Sequence, residues 1–160
     1  MISGEILRGF ELFDGLEDRE LTAVAELCRE RTLEKGVVCF AQGRKAKDLY
    51  LCRSGKVKLV AQHFEAPNIR INTHTAIQGE AFGWSALVEP CRYTSSAECA
   101  ERTEVIYTRG ADLLKLFNEN PRTGYVVMRN LTTIVSARLM EIREKISREL
   151  AMDIRDDYEW

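Results

Sequence analysis

The chain is 160 residues long, 45% hydrophobic and 30% charged, the composition of one globular domain that buries roughly 68–70% of the surface its unfolded form exposes. Its net charge of −2 excludes a broad cationic nucleic-acid footprint, and no run of about 18 apolar residues or basic-then-apolar leader offers a membrane span or secretory signal, so the expected location is the cytoplasm. Five cysteines, at positions 28, 39, 52, 91 and 99, form an odd set without CxxC or zinc spacing and are expected to be free thiols.

Residues 1–30 read as a helical lead-in. Leu21, Val24, Ala25 and Cys28 recur at helical spacing, and Asp14 or Asp18 is the expected N-cap. Between 31 and 109 the pattern changes to short runs rich in Val, Ile, Leu, Tyr and Thr, broken by Gly36, Gly43, Gly55, Gly79 and Gly83. The clearest strands are Val37 to Phe40, Asp48 to Cys52, Lys56 to Val60 and Ile69 to Thr73, with a hairpin turn at Arg53-Ser54-Gly55 and a surface loop from Gln62 to Asn68. Many short strands at even spacing predict a β-sandwich or barrel. The basic residues Arg44, Lys45 and Lys47, and Lys56 with Lys58, read as solvated surface.

Residues 110–150 read as a hinge and a dimerisation helix. Asp112 is expected to cap a short helix running through Phe117, and Asn120-Pro121 to start a long one. Met128, Leu131, Val135, Leu139, Ile142 and Ile146 then form a near-heptad stripe, about three turns longer than the domain's own core needs, which predicts pairing with a second copy. The remaining 151–160 form an acidic tail, expected to fray unless it folds back as a lid or docks on a partner.

Within the β region, residues 79–97 read GEAFGWSALVEPCRYTSSA: a strand end, a tight glycine turn, one short helix and a returning strand. Amides opening such a helix point outward unpaired, so Gly83, Trp84, Ser85 and Ala86 offer an anion cradle. The segment resembles the phosphate-binding cassette of cyclic nucleotide-binding domains of the catabolite-activator (Crp/Fnr-like) type. The lead-in, Glu34-Lys35-Gly36, Gln42-Gly43, the stretch from Tyr50 to Val57 and the long helix resemble further landmarks of that family, over about residues 10–146.

The resemblance implies a mainly β domain with flanking helices, an eight-stranded double-stranded β-helix (jelly roll) followed by a long C-terminal helix. It implies a non-enzymatic regulatory module, a homodimer that binds a cyclic nucleotide or another phosphate-bearing molecule, uses no cofactor, and signals through its hinge near Asn118 to Pro121. Family transcription factors continue into a helix-turn-helix, for which 151–160 are too few. A stand-alone module is therefore expected, acting through a protein partner and not on DNA or a membrane.

The cassette departs from the family pattern at two places. Trp84 stands where the family has the Glu that takes the ribose, and Tyr93 where it has the phosphate-binding Arg, with Arg92 one residue early. Two readings follow. In one, the amides of Gly83 to Ala86 and the hydroxyls of Thr94 and Ser95 hold a ligand anion, Arg92 reaches in, and Trp84 is a stacking wall. In the other, Trp84 and Tyr93 fill the pocket themselves and leave a dimeric scaffold. A cupin-like metal enzyme ranks lower: such a site needs an HxH pair, and only His63 and His74 exist.

Overall fold

The structure, a computed structural model, describes residues 1–158. The lead-in forms α1 (Gly4–Leu7), a 3₁₀ turn (Glu11–Phe13) and α2 (Asp18–Leu27). Neither Asp14 nor Asp18 caps α2. Asp14 closes the preceding 3₁₀ turn and Asp18 is already helical, so Glu17 becomes the N-cap, its amide donating to the Glu20 carboxylate at 2.8 Å. Leu21, Val24 and Ala25 are buried, the face their spacing defines.

Eight strands follow: β1 (Arg29–Leu33), β2 (Val38–Phe40), β3 (Asp48–Ser54), β4 (Val57–Gln62), β5 (Arg70–Ala76), β6 (Ala81–Phe82), β7 (Ser96–Cys99) and β8 (Thr103–Arg109). They make two antiparallel sheets, ordered β1-β8-β3-β6 and β2-β7-β4-β5. Strand β3 is central and covered on both sides, so Leu49 to Cys52 are buried four in a row. Alternation still sorts them: Leu49 and Leu51 enter a core shared with the helices, while Tyr50 and Cys52 enter the core between the sheets.

Two helices close the fold, α3 (Gly110–Glu119) and α4 (Pro121–Tyr158). Asp112 does not cap α3, because Gly110 already opens the helix and Asp112 sits inside its first turn, where a carboxylate suits the dipole. The 38 residues of α4 span about 57 Å. Its first half is fastened to the domain: Val126, Val127, Leu131 and Ile134 are buried in the helical core, and the Asn130 amide donates to the carbonyls of Leu12 at 3.0 Å and Asp14 at 2.8 Å. The tail expected to fray instead continues α4 to Tyr158, while Glu159 and Trp160 lie outside the described residues. Among the described residues no helix is long and apolar enough to cross a membrane.

Candidate functional site

Strand β6 pairs with β3 through Tyr50↔Phe82 and Leu51↔Ala81 and delivers the chain to Gly83. There φ is +75°, and a Cβ would stand 3.0 Å from Phe40 Cε1 and 3.2 Å from Tyr50 Cδ2, so both backbone sign and space require glycine. A 3₁₀ turn follows over Trp84–Leu87, closed by the Ala86 amide donating to the Gly83 carbonyl at 3.3 Å. Among the described residues no protein group accepts from the amides of Trp84 and Ser85. Ala86 and Leu87 face inward and are buried.

The returning segment is tied to the 43–46 loop. Gly43 donates to the Tyr93 carbonyl at 2.8 Å and Tyr93 to the Arg44 carbonyl at 3.0 Å. Tyr93 is only 6% exposed, and its ring stacks on Phe40 with centroids 3.7 Å apart. Its hydroxyl donates to the Asp48 carbonyl at 2.7 Å and accepts from the Asp48 amide at 3.1 Å. Burial pushes that hydroxyl's pKa up, so it stays neutral and structural. Tyr93 thus forms the floor of the site, with its polar atom spent on Asp48.

Arg92 points the other way, as a one-residue slip on an extended chain requires. Its guanidinium donates to the Gly43 carbonyl at 3.0 Å, and the side chain is exposed. Gly83, Trp84, Ser85, Tyr93, Thr94 and Ser95 do line one hollow, of about 50 Å³. That is room for about three water molecules. Across Trp84 lies a larger cleft of about 410 Å³, between the turn and α4, bordered by Ser85, Arg92, Thr94, Met128, Thr132 and Val135 among others. Its volume falls in the range of about 300–1,000 Å³ typical of small-molecule sites.

A side chain from α4 completes the site. The Arg138 guanidinium carbon lies 5.8 Å from the centroid of the Trp84 ring, and its side chain is 13% exposed. The same group contacts both ring nitrogens of His74 on β5 and reaches the Glu141 carboxylate at 3.5 Å. His74 Nε2 lies 3.0 Å from Glu80 Oε2, which also accepts from the Ile77 amide at 2.9 Å. Arg138 Nε is buried without a partner.

Arg138 was not among the candidate residues. Its one sequence signal is position, three residues after Val135 and four before Ile142, a cation beside the apolar stripe.

The turn and α4 are also joined through α3. A Cβ on Gly110 would fall 2.3 Å from the Ala86 carbonyl oxygen, and one on Gly124 would fall 2.7 Å from Phe117 Cβ. Each glycine lets one element sit directly on the next.

A family model described as Cyclic nucleotide-binding domain matches residues 30–147. The chain belongs to that family. As a member it is a regulatory domain of the cyclic nucleotide-binding type, and its jelly-roll architecture is the one the cassette resemblance implied. It is 30% identical over 135 residues to the cyclic AMP receptor protein of Thermus thermophilus, covering 84% of this chain and 60% of that protein. It is 31% identical over 137 residues to glutaminase 1 of Bradyrhizobium diazoefficiens, covering 84% of this chain and 21% of that protein. The structure of a Geobacter metallireducens protein described as cyclic nucleotide-binding superposes with a TM-score of 0.76 at 33% identity, covering 87% of this chain and 99% of that one. The chain therefore spans less than two thirds of these curated relatives.

Proposed function

We propose that this domain is a ligand-responsive regulatory module. A cyclic nucleotide enters between the Trp84–Leu87 turn and α4, and the response leaves through α4 to a second copy and to a protein partner. The contact chain from the turn to α4 carries this reading: Ala86 abuts Gly110 of α3, and Phe117 of α3 abuts Gly124 of α4. With no room for even a methyl group at either junction, displacement of the turn is passed to the hinge and on to the long helix.

The ligand contacts we propose are the free amides of Trp84 and Ser85 beside Gly83, and the hydroxyls of Thr94 and Ser95. Arg92 lies at the rim of the cleft. The 50 Å³ hollow admits the anion's solvent-sized space only, so the body of the ligand belongs in the larger cleft and the indole must swing to join the two. A ligand shifts the helix only by binding the opened arrangement better than the closed one.

The second copy would meet α4 along its exposed stripe. Leu139 and Ile146 are exposed, Val135 lies at the edge of the cleft, and Met128 and Ile142 are half-buried. Leu131 leaves the expected interface set: at 3% exposure it already packs in the chain's own core. Exposed Leu150 and Ile154 extend the stripe instead. Leu139→Asp is expected to yield monomers by light scattering, and an unchanged dimer would refute this pairing.

Titration of cyclic AMP and cyclic GMP tests the ligand, using Trp160→Phe protein so that Trp84 is the sole indole. A saturable fluorescence change is expected, and none up to millimolar ligand removes the nucleotide reading. A second reading is favoured by one observation, the burial of Tyr93 against Phe40 beside so small a hollow: the pocket is self-filled and the domain is a ligand-free dimeric scaffold. A flat titration with an intact dimer is its signature.

A further inference from the structure

One stretch of surface handles its charge differently from the rest. Elsewhere on the sheets Lys58 stands opposite Glu98 in the β4–β7 register, Arg70 reaches Glu98 at 3.3 Å, and Arg53 pairs with Glu30. On the 43–47 loop and the cassette's returning segment that mixing stops. Arg44, Lys45, Lys47 and Arg92 are all exposed, and among the described residues none of them enters an ion pair. The acidic residues nearest in the chain are placed elsewhere: Asp48 stands opposite Arg109 in the β3–β8 register, and Glu89 borders the large cleft.

Backbone bonds hold these cations together. Lys45 and Arg92 face each other across an antiparallel bridge, flanked by the Ala46 amide donating to the Cys91 carbonyl at 2.7 Å and the Tyr93 amide to the Arg44 carbonyl at 3.0 Å. The bonds lie to either side of the pair, the arrangement that brings opposite side chains closest. Ala46 and Tyr93, the next residue on each strand, are buried in one small core, so by alternation Lys45 and Arg92 project to solvent. The Arg92 guanidinium, donating to the Gly43 carbonyl at 3.0 Å, is held against the loop next to Arg44. Like charges directly opposite destabilise a strand pair, so the fold alone gives no reason for this one.

We propose that this ribbon is a docking surface for an acidic segment of a partner protein. Its four unpaired cations are complementary to a short run of Asp and Glu, and a carboxylate seated between Lys45 and Arg92 removes the repulsion that the free domain bears. None of the exposed large apolar or aromatic side chains lies in 43–47 or 91–93, so the surface offers neither a stacking platform for nucleotide bases nor a wedge for a lipid layer. The inner side of the ribbon carries Tyr93, the floor of the hollow, so an anchored partner stays in place while α4 responds. Docking needs no bound nucleotide and stands or falls apart from the reading above.

A fluorescein-labelled peptide of alternating Glu and Ser is titrated with the full chain and followed by anisotropy, beside its Gln-for-Glu counterpart and a labelled single-stranded RNA; phosphatidylserine vesicles are tested by co-sedimentation. The Glu peptide should bind saturably, and more weakly as salt is raised. Lys45→Glu should weaken that binding by about tenfold without lowering the thermal midpoint, since it turns the like pair with Arg92 into an opposite one. The double variant Arg44→Glu, Lys47→Glu should weaken binding at least as much, whereas Lys58→Glu, outside the ribbon, should leave it unchanged. No binding of the Glu peptide by folded protein, an unchanged affinity in Lys45→Glu and in the double variant, or an equal loss in Lys58→Glu would overturn the assignment. So would the Gln peptide, the RNA or the vesicles binding as tightly as the Glu peptide. A lowered thermal midpoint in Lys45→Glu would overturn it too, because the cation would then serve the fold.

Discussion

Below the hollow, Phe40, Tyr50, Phe82 and Tyr93 form a cluster of rings, with centroids 3.7 Å apart for Phe40–Tyr93, 5.6 Å for Phe40–Tyr50 and 5.3 Å for Tyr50–Phe82. Above it, Trp84, His74 and Arg138 come from three different elements and meet through polar contacts that leave one guanidinium nitrogen unpartnered. The floor is bound to the sheets by packing that any shift would break, whereas the roof is an assembly of long or rotatable side chains. Ligand response in this domain is therefore expected from the roof, with the floor as the fixed reference.

The sharpest break of that contrast is Phe40→Ala, which removes the ring that Tyr93 stacks on and that contacts Tyr50 and Phe82. A loss of about 3 kcal/mol is expected, near the lower end for a phenylalanine truncation because Phe40 is only half-buried. Urea unfolding checks it; a loss under about 1 kcal/mol would mean that the floor is not the rigid half.

Alkaline titration separates the halves next. Burial, the largest cause in each case, raises the pKa of floor groups: Cys52 is pushed up to about 12 from 9.0, and Tyr50, Tyr93 and Cys39 shift upward too. The folded state then holds protons that the unfolded chain has released, so the stability these groups lend is whole below about pH 9 and declines as pH rises toward 12. Thermal melts should fall steadily over that window, and Cys52→Ala should flatten the slope. A flat wild-type profile would contradict the burial of these groups.

A smaller effect is expected from Tyr93→Phe, which keeps the stack but leaves the Asp48 amide and carbonyl without their partner. About 1–2 kcal/mol should be lost. The smallest belongs to the roof, where His74→Gln should cost under about 1 kcal/mol while changing Trp84 fluorescence through the freed Arg138. If His74→Gln instead matched Phe40→Ala in urea, roof and floor would be one rigid unit.

Much of the fold was legible in the chain because its signals are local. Val38 to Phe40, Leu49 to Cys52 and Val57 to Val60 lie in strands where β-branched and aromatic runs were expected, and Asn120-Pro121 starts α4 where a proline suits a first turn. The caps were misassigned because Asp14, Asp18 and Asp112 are all competent capping residues, and only the path of the neighbouring backbone decides which position is the boundary. The tail was misread because a charged, exposed helix end carries the same composition as a frayed one.

By itself the sequence determined the element types and the glycine turn, since these depend on backbone sterics and on side chains a few residues apart. Only the tertiary structure decided that Tyr93 is bonded to Asp48, that Leu131 is inside, and that Arg138 reaches Trp84 from 54 positions away in the chain. Those outcomes depend on how two sheets and a helix are stacked, and long-range contacts of that kind leave no periodicity to read.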